Sequence, residues 1–251
     1  MIRPEYLQAL RQQTVKQGAL AGNRVTFGTD VIDSRVEGGL AQRALHEIFA
    51  RSAEDGSAAA AFAVMISLRA CPVGRPILWV RENRCGRQTG HLHAAGLAEL
   101  GIDPSDLVLI DAPDTLAVLC AGADIVKCGQ VGALVIEPWG KAPLLDLTAS
   151  RRLSMAAAAS GVLTLVLRMD ADPMPSAAQT RWRVSAAPSF PLAANAPGYP
   201  AFNIALLRHR GGISGFETCL EWNSDTRSFA PLSGGVPAVP ALGADRQKKA
   251  A

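Results

Sequence analysis

The 251 residues suffice for one α/β domain with a full hydrophobic core and do not require two domains. Hydrophobic residues make up 49% of the chain, and the longest apolar runs are too short to span a membrane, so we expect a soluble protein. The formal net charge of +3 is too small to indicate nucleic-acid binding by itself. Residues 1–16 are charged and lack the apolar core of a signal peptide, which predicts a cytoplasmic protein.

The cysteines form an odd set of five without a CxxC pair, which predicts reduced thiols rather than a disulfide framework or a zinc ribbon. Cys85, His91 and His93 are the one combination that resembles a metal ligand set. Residues two apart on a helix point to different sides, so the two histidines would not converge on one ion. We therefore expect no metal site.

The chain begins with a predicted amphipathic helix over residues 5–17, and Gly18 is a plausible stop. We divide the chain into this N-terminal helical segment at 1–20, a core domain at 21–232 and a tail at 233–251. The tail is Gly-, Pro- and Ala-rich with a basic end, and it cannot bury enough apolar surface to order itself. It is predicted to be a disordered basic tail.

Short apolar runs alternate with Ala- or Leu-rich segments through the first part of the core. Such alternation predicts βαβ crossovers and a parallel sheet. The predicted strands are 44–49, 76–82, 106–112, 132–138 and 161–168, and the predicted helices are 57–70, 88–100, 114–128 and 145–160.

The pattern changes after Arg168, because residues 170–176 are typical of a loop and strand candidates then follow one another. These candidates are 181–187, 202–210, 216–223 and 226–232. We expect them to extend the sheet with antiparallel strands.

The segment after the first core strand, residues 50–59, has the position of a phosphate-binding loop but lacks its side chains. Gly56 is its one glycine, Ser57 stands where a lysine would reach the phosphates, and Ala58 stands where a hydroxyl would hold magnesium. Glu54 and Asp55 would repel a polyanion at close range. The loop therefore predicts no nucleotide cofactor.

Three further residues could serve a nucleotide reaction. Arg51 is an alternative phosphate ligand, because a guanidinium holds phosphate bidentately. Glu82 closes the second core strand and could polarise a water, and Glu137 stands where such folds place a metal-orienting carboxylate. We expect Glu137 to be an exposed carboxylate at a strand end. Without phosphate and magnesium these residues have no reaction to catalyse, so no enzyme activity is expected.

The runs GGLAQRALHEIF and ARSAEDGSAA resemble the strand and eroded phosphate loop of the RecA recombinase core, a resemblance that extends over roughly 24–232. Three later segments are similar, in order, to the ImuA family of RecA-like and SulA-like proteins: LLDLTASRRLSMAAAASGVLTLVLR, TRWRVSAAPS and RGGISGFETCLEWN. The resemblance implies a RecA-like α/β fold. It also implies a role in the DNA-damage (SOS) response, in translesion synthesis and mutagenesis.

The partners that the resemblance implies are RecA, an ImuB polymerase homologue and an error-prone DNA polymerase III alpha subunit. Glu82 matches the water-activating glutamate of RecA, whereas Arg168 replaces the glutamine that senses the γ-phosphate. Arg208 and Arg210 match two lysines that reach across the RecA protomer interface. The two arginines either meet a neighbouring RecA or are solvated on an edge strand.

Arginines elsewhere have two interpretations. Arg181 and Arg183 contact a nucleic-acid backbone or decorate an edge strand against aggregation. The segments that match the RecA DNA-binding loops, 138–144 and 169–179, are short or unfavourable for phosphate contact, so only weak single-stranded DNA binding is considered.

The favoured function is a non-catalytic adaptor between RecA and the error-prone polymerase complex. One alternative is a SulA-like inhibitor of cell division. The other is an atypical ATPase that uses Arg51 and Glu82.

Overall fold

The structure is a computed structural model, and it describes residues 24–72, 74–192, 194, 196–211 and 215–232. The predicted helix at 5–17, with the rest of the segment 1–20, and the predicted tail at 233–251 lie outside the described residues.

A small ribbon precedes the main sheet. Its strands are Arg24–Val25 (β1) and Leu40–Ala41 (β2), which pair antiparallel, and between them lie the short helix Asp30–Asp33 (α1) and a 3₁₀ turn. Gly39 lies in this ribbon with φ of 123° and with backbone of Val25 directly against it. The conformation and the lack of space both require glycine at this position.

Within the described residues, the main sheet has nine strands in the order β11-β10-β9-β8-β3-β7-β6-β4-β5. The strands are Leu45–Ala50 (β3), Ile77–Glu82 (β4), Leu107–Ala112 (β5), Ala133–Glu137 (β6), Leu163–Arg168 (β7), Thr180–Ala187 (β8), Ala201–His209 (β9), Phe216–Asn223 (β10) and Ser228–Pro231 (β11). The strands from β3 to β8 pair in parallel, and β9, β10 and β11 extend the sheet antiparallel to their neighbours. The predicted α/β class, with a mainly parallel sheet and an antiparallel C-terminal extension, is confirmed.

Three long helices cover the parallel part of the sheet. Gly56–Ala70 (α2) packs on one face, above a core that includes Trp79 and Trp182. Thr115–Cys128 (α5) and Leu147–Ser160 (α6) pack on the other. The last two helices begin where an aspartate side chain accepts a hydrogen bond from the first turn, and both end at a glycine with positive φ, so local capping defines them.

The predicted helix at 88–100 is wrong in its extent. Two short helices, Asn83–Thr89 (α3) and Ala94–Glu99 (α4), replace it, because Gly90 has φ of 84° and interrupts the helical path. Arg81 Nη1 donates a hydrogen bond to the Gly90 carbonyl and holds the chain in this break.

The strands that carry the predicted surface arginines are not at an edge of the sheet. β8 lies between β3 and β9, and β9 lies between β8 and β10, whereas the edges are β5 and β11. The edge-strand interpretation of Arg181, Arg183, Arg208 and Arg210 is therefore wrong. None of the helices in the described part of the chain is long and apolar enough to cross a membrane.

Candidate functional site

The candidate site is the turn between β3, which ends at Ala50, and α2, which begins at Gly56. It lies at the carboxyl ends of the parallel strands, where open α/β sheets place their ligands. The turn thus has the position that a phosphate-binding loop requires.

Two backbone donors of this turn are used inside the turn. The N–H of Asp55 donates to the carbonyl of Ser52, and the N–H of Gly56 donates to the carbonyl of Ala53, both at 3.2 Å. A phosphate-binding loop instead directs its N–H groups at the ligand. These two donors are therefore not available to hold a phosphate.

The Asp55 carboxylate fastens the turn to the neighbouring strand. Its Oδ1 accepts a hydrogen bond from the Ala186 N–H at 3.0 Å, and its Oδ2 accepts one from Ser52 Oγ at 2.8 Å. The N–H of Arg51 donates to the carbonyl of Val184 at 2.9 Å and adds a second attachment to β8. A fixed negative charge at the start of α2 occupies the place where an anion would benefit from the helix dipole.

The other residues of the turn do not compensate for this charge. Glu54 and Ser57 are exposed, and Gly56 is buried against Met169 and Thr89, so that a Cβ there would lie 3.3 Å from each side chain. Arg51 is exposed and lines a cleft of about 560 Å³ with Lys141, Asp170 and Asp172. Two acids accompany the two bases in this cleft, so it does not form a cationic phosphate site.

Glu82 is held by neighbouring donors. Its Oε2 accepts a hydrogen bond from Thr115 Oγ1 at 2.8 Å and from the N–H of Trp139 at 3.3 Å. This oxygen therefore ties β4 to the start of α5 and to the segment after β6. A water that Glu82 polarised through this oxygen would have to compete with these two hydrogen bonds.

The expectation that Glu137 is exposed is wrong. Its side chain is buried, its Oε2 accepts a hydrogen bond from Trp79 Nε1 at 2.7 Å, and Arg81 Nε lies 3.4 Å from the same oxygen. Burial raises the pKa of Glu137, against the opposing effects of the Arg81 charge and of the Trp79 hydrogen bond. Glu137 faces the layer beneath α2 because alternate β6 residues share one face of the sheet, so it does not lie at an open strand end.

The combination of Cys85, His91 and His93 does not converge. Cys85 is buried and its Sγ donates to the Glu137 carbonyl at 3.4 Å, whereas His91 and His93 are exposed. Burial, followed by the Glu137 charge, raises the pKa of Cys85 to about 12, so the thiolate that metals require is disfavoured. Within the described ranges, no group of three or more His, Cys, Asp or Glu residues could hold a metal ion.

Arg181 neither faces solvent, as contact with a nucleic-acid backbone would require, nor lies on an edge strand. It is buried, and its Nε lies 2.8 Å from Oε2 of Glu47. Its guanidinium also donates to Ser176 Oγ and lies over the Phe49 ring. Contact of Arg181 with a nucleic-acid backbone is therefore not supported. Arg183, two residues along the same strand, is exposed and remains available.

Arg208 and Arg210 lie beside this buried pair. Arg208 is the cross-strand neighbour of Arg181, is half-buried, and donates to the carbonyl of Ser176 at 3.2 Å. Arg210 is exposed and donates to the carbonyl of Ala177 at 3.3 Å. The structure thus brings three arginines to one short segment, residues 176–177: Arg181, Arg208 and Arg210. Arg210 is the most accessible of the three.

The sequence analysis did not identify Glu47 and Arg81 as buried charges, and it did not place the side chain of Arg168. Arg168 is buried at the end of β7 and its Nη2 donates to the carbonyls of Gly140 and Lys141, and burial lowers its pKa. A signal for Glu47 was present, since it is the one acid inside the apolar run 45–50. A charge inside a strand buried on both faces requires a partner.

An apolar groove on the outer surface lies between α5 and α6, with a volume of about 560 Å³. Leu116, Leu144 and Met155 line it and have exposed side chains, and the exposed Leu147 is close by in sequence. Contiguous exposed apolar surface is typical of protein-binding faces.

In comparisons with known proteins, no family model matches the chain, and no curated protein matches it.

Proposed function

We propose that this chain is a non-catalytic RecA-like accessory protein of SOS-induced translesion DNA synthesis and mutagenesis. In this role it acts in the cytoplasm as an adaptor between RecA and a complex of an ImuB homologue with an error-prone polymerase. We infer the family from the resemblance of the sequence segments. We infer the non-catalytic character of the protein from the turn at 51–55.

The observation that supports the non-catalytic character is the position of the Asp55 carboxylate. It is bonded to the backbone of β8 and to Ser52, at the start of the helix that would have to receive the phosphates. Like charges repel by several kcal/mol at contact distance in a partly desolvated site, at an effective dielectric constant of about 20. Ser57 supplies no charge to offset this repulsion.

The binding character is supported by the apolar groove between α5 and α6. A protein that works by association needs accessible apolar surface, and Leu116 and Met155 provide it without contributing to either core.

Titration with a fluorescent ATP analogue and magnesium tests the non-catalytic character. We expect no saturable binding at micromolar concentrations, a range that corresponds to about −8 kcal/mol. A matched control carries Asp55→Gly, Ser57→Lys and Ala58→Thr, which restore the missing groups. Saturable micromolar binding by the natural chain, lost in Arg51→Ala, would contradict the proposal and favour the ATPase alternative.

Association with RecA tests the adaptor role. Because Arg208 is half-buried and bonded beside the Glu47–Arg181 pair, the single change Arg210→Glu is a cleaner test than changing both arginines. We expect it to weaken RecA binding in a two-component assay while the thermal melt stays the same. Arg151→Glu, an exposed residue on α6, is the control with the same change in charge. Equal RecA affinity of both variants would refute this interface.

A further inference from the structure

A cleft of about 660 Å³ lies at the amino ends of the parallel strands, opposite the turn at 51–55. Its lining residues form β1, immediately precede the strands β3, β4, β6 and β7, or end the helices α2 and α6. Four arginines line it: Arg24, Arg43, Arg69 and Arg75. No aspartate or glutamate is among its described lining residues. No part of the proposed adaptor function uses this cleft.

Two of the arginines are exposed and are anchored by helix ends. Arg43 donates from Nε and Nη2 to the carbonyl of Ala158, in the last turn of α6, at 3.1 and 2.9 Å. Arg75 donates from Nη1 to the carbonyl of Gly129, just after α5, at 3.2 Å. A guanidinium has more N–H donors than these bonds use. Both heads are thus positioned at the rim with donors left for a ligand.

The other two arginines are half-buried and more fully bonded. Arg69 donates to the carbonyls of Thr26 and Arg227, and Arg24 donates to the Gly39 carbonyl and pairs with Glu37 at 2.9 Å. They contribute charge at the base of the cleft rather than free donors.

The four arginines carry more positive charge than is needed to neutralise the nearby helix ends. The C-terminal ends of α2, α5 and α6 meet here, and each carries roughly −0.5 of an elementary charge. Together with Glu37, which pairs with Arg24, and Asp33, whose charge acts on Arg69, they offset roughly 3.5 charges of the four arginines, which leaves a net charge of about +0.5. The surplus lies at the exposed rim, on Arg43 and Arg75.

We propose that this cleft binds the phosphodiester backbone of a single-stranded nucleic acid. The four guanidinium groups come from four separate places around the rim and base, an arrangement that suits a chain of phosphates better than one compact ion. No aromatic side chain is among the described lining residues, so no base-stacking platform is present. Binding is therefore independent of base sequence and depends on salt.

Fluorescence anisotropy with a labelled oligothymidine of roughly 15 nucleotides tests the proposal, since this length covers a typical single-strand site. The test variant is Arg43→Gln with Arg75→Gln, and the control is Arg151→Gln with Arg152→Gln, which removes the same charge from exposed positions on α6. We expect the test variant to bind about tenfold or more weakly and the magnitude of its log–log salt slope to fall by about 1.4, the value for two lost single-strand phosphate contacts. The control is expected to match the natural chain.

The double variant Arg43→Lys with Arg75→Lys separates binding from a structural role. It retains the charges, so most of the affinity should remain even if the helix-end bonds are weakened. Thermal melts of all variants identify any loss of fold.

Four outcomes would overturn the proposal. They are no saturable oligonucleotide binding by the natural chain, equal weakening in the test and control variants, equal weakening in the lysine and glutamine variants, and saturable binding of free pyrophosphate without binding of the oligonucleotide. The proposal is independent of RecA association, because Arg210→Glu is expected to leave oligonucleotide affinity unchanged.

Discussion

Nε of Arg181 lies 2.8 Å from Oε2 of Glu47, and both side chains are buried on the same face of the sheet. The parallel register of β3 and β8 places the two residues opposite one another. Ser176 Oγ donates to the same carboxylate oxygen at 2.9 Å. The pair therefore also holds the segment after β7 against the sheet.

Glu47→Gln should leave the Arg181 charge buried without a counterion. We expect the free energy of unfolding to fall by about 3–5 kcal/mol, the usual cost of removing one partner of a buried pair. Urea denaturation followed by circular dichroism measures this loss. Arg183→Gln, at an exposed position two residues from Arg181, is the matched control and should change stability by no more than about 0.5 kcal/mol. Equal small effects of both changes would contradict a buried ion pair.

Glu137→Gln tests the second buried pair. Glutamine can still accept the hydrogen bond from Trp79, but it removes the ion-pair partner of the buried Arg81 guanidinium, so we expect a loss of about 3–5 kcal/mol. Glu217→Gln, at an exposed position of β10, serves as the control. A Glu137→Gln variant as stable as the control in denaturant melts would show that Arg81 does not depend on this carboxylate.

His46 should make stability depend on pH. Burial lowers its pKa from 6.5 to about 4, and its two ring nitrogens are bonded to Thr180 Oγ1 and the Ala41 carbonyl. The folded state keeps His46 neutral, whereas the unfolded state takes up a proton below pH 6.5. The free energy of unfolding should therefore fall as pH falls from 6.5 towards 4, by up to about 3 kcal/mol.

Denaturant unfolding at a series of pH values measures this dependence. His46→Gln should flatten the slope within the window, while His93→Gln, an exposed control, should keep it. A slope that is the same in all three proteins would show that His46 is not its source. His209, whose pKa burial also lowers, contributes with the same sign.

Two glycines should respond in opposite directions to alanine. At Gly39 a Cβ would lie 2.4 Å from the Val25 carbonyl oxygen and φ is positive, so alanine should destabilise the fold by more than about 1 kcal/mol. At Gly96, inside α4, a Cβ meets nothing within 4 Å, so alanine should stabilise by about 0.5–1 kcal/mol. Thermal melts of the two variants check the prediction, and a shift in the same direction for both would contradict it.

Much of the fold could be predicted because its signals are local. The apolar run of β6 and the Ala- or Leu-rich segments of α5 and α6 are visible within a few residues, and the structure has those elements within one or two residues of the predicted bounds. The break at Gly90 was local as well, but a positive φ cannot be distinguished from a tolerated helical glycine without the neighbouring Arg81.

The buried side-chain network around the candidate site could not be predicted for a different reason. Glu47 and Arg181 are 134 positions apart, and their contact depends on the strand order and register rather than on any local pattern. The exposed interpretation of Glu137 failed because the sequence shows that a strand ends there but not which layer its last residue faces. The acids of the turn at 51–55 are visible in the sequence, whereas the bond of Asp55 to Ala186 depends on the position of β8.

The central strand β3 pairs with β7 and β8, which begin more than a hundred positions later in the chain. While the ribosome makes the intervening residues, the run 45–50 has no native neighbour on either side. At usual rates of synthesis this delay is on the order of ten seconds. Nascent chains that end before Leu163 therefore expose an apolar strand with two open edges, which makes this run the natural target of chaperones during translation.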